Sequence, residues 1–230
     1  MMARARQSDG EMTAPGALRS IEAAALAGLA YATLSLVSTY LLLRAPRATP
    51  AGTDVAWYAD AANQRSTALG LNLMAIGTIA FLWFVAVIRR RVGERENRFF
   101  GTVFLGSALL LAGIRMIAGI MLATPAMTGY LLDVVPDSNS IGLWQAAGLS
   151  MATVVGTRLE AVFVISTTTV GRLSEALPKW LIWLGYAAGV VLVIAPLPRA
   201  LLIWLFPTWI SLVSASLLVT HRLHLTETTA

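Results

Sequence analysis

A chain of 230 residues that is 57% hydrophobic and 13% charged departs from soluble domains, which are about 45–50% apolar and about 25% charged. Its mean hydropathy of +0.71 comes from apolar blocks of about twenty residues, the length that crosses a hydrocarbon core of about 30 Å, so it reads as one polytopic membrane unit. The net charge of +5 lies in short connections without interleaved aromatics, which argues against nucleic acid, and the absence of cysteine excludes disulfides, thiol catalysis and cysteine metal sites.

Residues 1–20 form a cytoplasmic N-terminal segment carrying Arg4, Arg6 and Arg19. The first span is predicted over residues 21–43, longer than the apolar region of about 7–15 residues in a cleaved signal, and is therefore retained. Its Ala24, Gly28 and Ala32 make a small-residue stripe that lets helices approach closely. Pro46, Pro50 and Gly52 then forbid continuous helix, and residues 56–63, with Trp57 and Tyr58, read as a short interfacial helix. The second span covers residues 67–88 and carries Trp83-Phe84 as an interfacial marker.

Five arginines in the ten residues 89–98 separate it from a third span over residues 99–123. A loop at residues 124–142 leads to a long fourth span, residues 143–170. Spans five and six are predicted at residues 180–195 and 200–220, the fifth with Gly185 and Gly189 packing on the sixth, and the sixth kinked near Pro207. Residues 221–230 form the cytoplasmic tail. The predicted fold class is thus an all-α, six-span transmembrane bundle with both termini cytoplasmic. That orientation puts Arg4, Arg6, Arg19, Arg89, Arg90, Arg91, Arg95, Arg98, Arg172, Lys179 and Arg222 inside, and only Arg44, Arg47, Arg65 and Arg199 outside, as the positive-inside rule requires.

Charges at depth are the candidate functional groups, because each costs at least about 2.5–3.5 kcal/mol to insert and needs a partner, water or a task. Gly148, Ala152, Gly156 and Glu160 recur every fourth residue of span four, so Glu160 faces a neighbouring helix. Arg158 lies about 200° around from it. Depth along the predicted spans suggests an Arg158–Glu22 ion pair, Glu160 turned toward Arg19 or the arginine-rich loop, and Arg115 bonded to Asn72 on the other side. On those boundaries Glu160 is too deep to reach Arg115. Asn72, Arg115, Glu22, Arg158 and Glu160 together form the candidate polar or ligand site, set against a plain packing or snorkelling role. Ser166-Thr167-Thr168-Thr169 is expected to satisfy its own helix carbonyls.

No catalytic or metal motif is present. His221 and His224 both follow the last span, so a transmembrane bis-histidine haem site and a histidine-activated serine are excluded. No His-Glu-x-x-His zinc motif is present, and the i, i+3 histidine pair, with only Glu227 nearby, reads as a solvated tail rather than a weak metal site. Lys179, the sole lysine, lies in a loop, which excludes a retinal Schiff base, and no cofactor is expected. Gly70-Leu-Asn-Leu through Ile79-Ala-Phe-Leu-Trp-Phe, the run Gly93-Glu-Arg-Glu-Asn-Arg-Phe-Phe-Gly-Thr-Val-Phe-Leu-Gly-Ser107, Arg158 through Thr169, and Leu177-Pro-Lys-Trp-Leu181 resemble a group of uncharacterised multi-span membrane proteins common in actinobacteria. The resemblance implies a bacterial inner-membrane protein and assigns no catalytic residue.

Three functions stay open: a small transporter-like or partner-binding module, the substrate-binding subunit of a vitamin or metal uptake system docking through its alanine-rich first span, and a membrane enzyme acting on lipid with Glu160 as its base. Expected partners are the lipid bilayer and a membrane protein or a second copy of the chain, not nucleic acid.

Overall fold

The computed structural model describes residues 14–49, 52–92, 98–173, 177–194 and 199–228. Among these the chain is all-helical: α1 (Ala14–Leu43), α2 (Val55–Ala59), α3 (Ala61–Val92), α4 (Arg98–Leu132), α5 (Ser138–Ser150), a π-helical segment (Met151–Gly156), α6 (Thr157–Leu173), α7 (Lys179–Ile194) and α8 (Arg199–Thr228). Four segments are long and apolar enough to cross a bilayer: Ala23–Leu43, Ala61–Arg89, Gly101–Leu132 and Ser138–Leu173. Two shorter apolar helices, Lys179–Ile194 and Trp204–Val219, accompany them. The outside of the bundle is correspondingly apolar, with Leu143, Trp183 and Ile194 each at least 70% exposed, as expected of a surface that meets acyl chains.

The end of α3, the start of α4, the end of α6 and the start of α7 lie at one end of the bundle, termed here the arginine-rich end; α2 and residues 44–49, 52–54 and 133–137 lie at the other, the loop end. Two boundaries differ from expectation there. The loop predicted at residues 124–142 is largely helix, because α4 continues through Pro125 to Leu132. The Thr124 and Thr128 hydroxyls donate to the carbonyls of Ile120 and Thr124, and proline removes only its own amide from the ladder. Asp133, at φ 55°, ends the helix, one of the few residue types that tolerate this left-handed cap. Asp137 then caps α5, its carboxylate accepting from the Asn139 and Ser140 amides at 2.9 Å. These bonds, with the Ser140 hydroxyl, hold its carboxyl below the usual range.

α1 lies against α3 and α8, while α4 bridges α3 to the α5–α6 rod and α7 packs almost wholly on α6. The predicted small-residue stripe does what its spacing suggests. Ala24 and Ala32 are buried, and a Cβ at Gly28 would collide with Ser214 and Phe84. The Gly185 and Gly189 pair is a correction: the two glycines meet Thr168 and Ile165 of α6 rather than α8, because α7 leans on the helix before it. α8 runs unbroken through Pro207, whose carbonyl accepts from the Ser211 hydroxyl. Trp83 is exposed as an interfacial residue should be, but Phe84 is fully buried.

The core is aromatic. Phe163 of α6 stacks on Phe104 of α4 at 5.2 Å between ring centroids and meets Phe81 of α3 edge-on at 5.2 Å and Phe206 of α8 at 5.8 Å. Tyr31 of α1 closes the group against Phe81 at 4.9 Å. Five helices therefore converge on one plug of rings, an arrangement worth about 0.5–1.5 kcal/mol per pair beyond burial.

Candidate functional site

Arg115 stands midway along α4 and gathers the bundle around itself. Its Nη2 lies 3.0 Å from Glu160 Oε1 of α6. Its Nη1 donates to the Tyr31 hydroxyl at 3.0 Å and to Ser35 Oγ at 3.2 Å, both on α1. Its guanidinium carbon sits 5.5 Å from the centroid of the Phe206 ring on α8, within cation–π range. One side chain thus ties α1, α4, α6 and α8.

This overturns the expected separation of Arg115 and Glu160. Counting from the arginine-rich end, Arg115 is about 25 Å along α4 and Glu160 about 20 Å along α6, so the two are about one turn apart in depth, within reach of two long side chains. The sequence-based depths were counted from opposite ends of spans that prove longer than predicted, α4 running on to Leu132 and the fourth rod from Ser138 to Leu173. Glu160 consequently does not turn toward Arg19 or the arginine-rich loop. It does face inward as its four-residue stripe requires, with only 3% of its side chain exposed, and its Oε2 has no hydrogen-bond partner among the described residues.

The other candidates lie elsewhere. Asn72 is exposed, and its amide donates to the Ala68 carbonyl one turn back, so it does not meet Arg115. Arg158 is exposed as well. Its Nη1 donates to the Thr153 carbonyl at 3.1 Å and to Thr157 Oγ1 at 3.0 Å, next to the π-helical segment that leaves such carbonyls loosely held. The side chain of Glu22 lies outside the described residues, as do those of Arg19, His221 and His224. Thr167, Thr168 and Thr169 donate to the carbonyls of Phe163, Val164 and Ile165, the back-bonding expected of them. Among the described residues no group of His, Asp and Glu could hold a metal.

On the loop-end side of Arg115 a partly open cavity of about 70 Å³ runs up between α1, α3, α4 and the α5–π rod, enough for a few water molecules or a solute of a few heavy atoms. Its wall mixes hydroxyls (Ser35, Ser38, Thr39, Thr78) with aliphatic side chains such as Leu42 and Leu122. Arg115 keeps 20% of its side chain exposed here. Its contacts use three of the five N–H donors a guanidinium carries. Glu160 is not part of the wall; it lies behind Arg115, next to the aromatic plug. The cavity is therefore partly open, with Arg115 at its floor and the aromatic plug beyond that floor.

A second polar knot ties down the loop end. Gln145 of α5 donates to the Pro46 carbonyl at 2.8 Å and to the Tyr58 hydroxyl at 2.7 Å, and accepts from the Ala48 amide at 2.9 Å. Tyr58 in turn donates to Pro46 at 2.9 Å. Burial pushes the Tyr58 phenol up to about 12, against a smaller opposing effect of the Gln145 bond. Sequence reasoning missed this knot, since one glutamine in an apolar helix gives no sign of a loop 97 residues earlier. It also missed Tyr31 and Ser35, though Tyr31, Ser35 and Ser38 at i, i+4 and i+7 mark a polar stripe on α1 that periodicity can find. No protein family, curated protein or solved structure matches this chain.

Proposed function

We propose that this is a six-span protein of the bacterial cytoplasmic membrane, both termini inside, that binds and passes a small polar solute in the manner of a transporter. One observation carries the reading: a guanidinium at mid-depth, neutralised from behind by Glu160, borders a partly open cavity in which hydroxyls stand among aliphatic side chains, with the aromatic plug beyond it. Ionisable groups within spans mark solute or ion paths by default, and a neutral Arg–Glu floor suits a solute that brings acceptor oxygens. α7 and α8 complete the six crossings; α7 reaches about 24 Å, which slight local thinning of the bilayer accommodates, and α8, at 30 residues, is long enough to cross. The docking-subunit reading loses its main support, since Ala24, Gly28 and Ala32 are spent on packing inside the bundle. A lipid-acting enzyme would need Glu160 within reach of substrate, and that carboxylate is sealed behind Arg115.

The test is a thermal-shift panel of small carboxylates, amides and polyols on the detergent-purified protein, repeated on Thr78→Leu, which fills the cavity, and Arg115→Lys, which keeps the charge but loses the fork geometry. Stabilisation by at least one compound that both variants lose is expected. No stabilisation by any compound, or stabilisation that survives both substitutions, would sink the reading.

A further inference from the structure

At the arginine-rich end, away from the Arg115 cavity, a second recess of about 550 Å³ opens where α6 gives way to α7. That is within the range of about 300–1,000 Å³ typical of ligand sites. Arg172, in the last turn of α6, supplies one cation; Lys179, the first residue of α7, supplies another. The rest of the wall is Leu177, Ile182, Trp183 and Tyr186. Lys179, Ile182, Trp183 and Tyr186 recur at i, i+3, i+4 and i+7, so they share one face of α7. The Tyr186 hydroxyl lies 3.1 Å from Thr169 Oγ1, which fixes the ring against α6.

Three features point to one kind of occupant. The described residues of the wall include two cations and no carboxylate; Glu175 of the connection lies outside the described residues. A lysine at the start of a helix opposes the positive end of the helix dipole, and α7 has no acidic residue in its first turn to offset it; an anion seated there relieves both charges. Trp180 and Trp183 are 56% and 75% exposed, and tryptophans so placed mark the headgroup level of a bilayer. From that level Val190 and Ile194, both largely exposed, carry the apolar surface of α7 inward along the path an acyl chain would follow.

We propose that this recess binds the phosphate headgroup of an anionic phospholipid, clamped by Arg172 and Lys179 against Trp183, with its chains lying along α7. Basic pockets between helices recognise anionic headgroups in this way, and the site is independent of the solute cavity.

The experiment is thermal unfolding of the purified protein in neutral detergent with phosphatidylglycerol, phosphatidylcholine or inorganic phosphate added. Phosphatidylglycerol is expected to raise Tm beyond phosphatidylcholine, inorganic phosphate to leave it unchanged, and Arg172→Gln/Lys179→Gln to lose more than half of the phosphatidylglycerol gain. Equal effects of the two lipids, a full gain in the double variant, or the same gain from inorganic phosphate would overturn it. Should the double variant not fold, brominated-chain lipids decide the matter on the native chain. The tryptophan quenching removed by Trp183→Phe should be stronger with the brominated phosphatidylglycerol, and equal quenching by the two lipids overturns the proposal.

Discussion

Arg115 and Glu160 form a pair whose members each depend on the other. A buried charge stripped of its partner is left with its full desolvation penalty, so breaking such a pair costs about 3–5 kcal/mol. Arg115→Met and Glu160→Gln should therefore each destabilise the detergent-solubilised protein strongly, and the double variant by much less than their sum, read as Tm or as denaturant midpoint. Arg158→Ala is the control: that side chain is exposed and, among the described residues, bonded only to its own rod, so its loss should fall within about 1 kcal/mol. The inward aim of Glu160 was legible in the spacing of Gly148, Ala152 and Gly156. Its partner was not, because a depth error of a few residues is enough to separate two charges on different helices, and helix ends are where sequence signals are weakest. Asn72 failed for another reason: a lone amide on an amphiphilic face has its own helix carbonyl within reach, and nothing in its neighbours distinguishes that fate from an interhelical bond.

Among the elements, the π-helical segment governs how the α5–α6 rod presents its two halves. A π-helical turn accommodates an additional residue relative to an α-helix, and one residue is about 100° of rotation. Deleting Val154, which is largely exposed, should therefore restore α-helical winding and leave Glu160 on Arg115, whereas deleting Leu159, within regular α-helix, should turn Glu160 off Arg115 and lose stability comparable to Glu160→Gln. At the loop end, the Gln145–Tyr58 knot has a pH signature. Because the folded phenol binds its proton more tightly than the usual value of about 10, its stabilising contribution is fully present below pH 10 and lost as pH climbs toward about 12. Titrating phenolate absorbance in the wild type and in Tyr58→Phe should reveal one tyrosine ionising near the top of that window; its absence from the difference curve would contradict the burial. Here the sequence offered the short helix and its aromatics but not their anchor, since a turn built from Pro46 and Ala48 is recognised by backbone groups that every residue shares.

The whole molecule is a helical bundle, and the crossing count and sidedness proposed for it rest on charge as much as on hydropathy. The four long spans were legible because about twenty uninterrupted apolar residues have few other uses; α7, at 16 residues, is shorter, and α7 and α8 owe their places to packing on α6 and α1. A chain without cysteine is a ready background for single-cysteine labelling. Asn139→Cys should react with a membrane-impermeant maleimide in intact cells and Arg95→Cys only after lysis, and the reverse pattern would refute the assigned sidedness.

The order in which the helices are synthesised gives the Arg115–Glu160 contact a consequence for biogenesis. The arginine leaves the ribosome 45 residues ahead of the glutamate that neutralises it, so α4 must either wait beside the insertion machinery or enter lipid with its guanidinium served only by the α1 hydroxyls. Tyr31 and Ser35, already delivered, then act as a temporary berth for the nascent helix, and their later presence in the finished cavity is a trace of how the protein was put together.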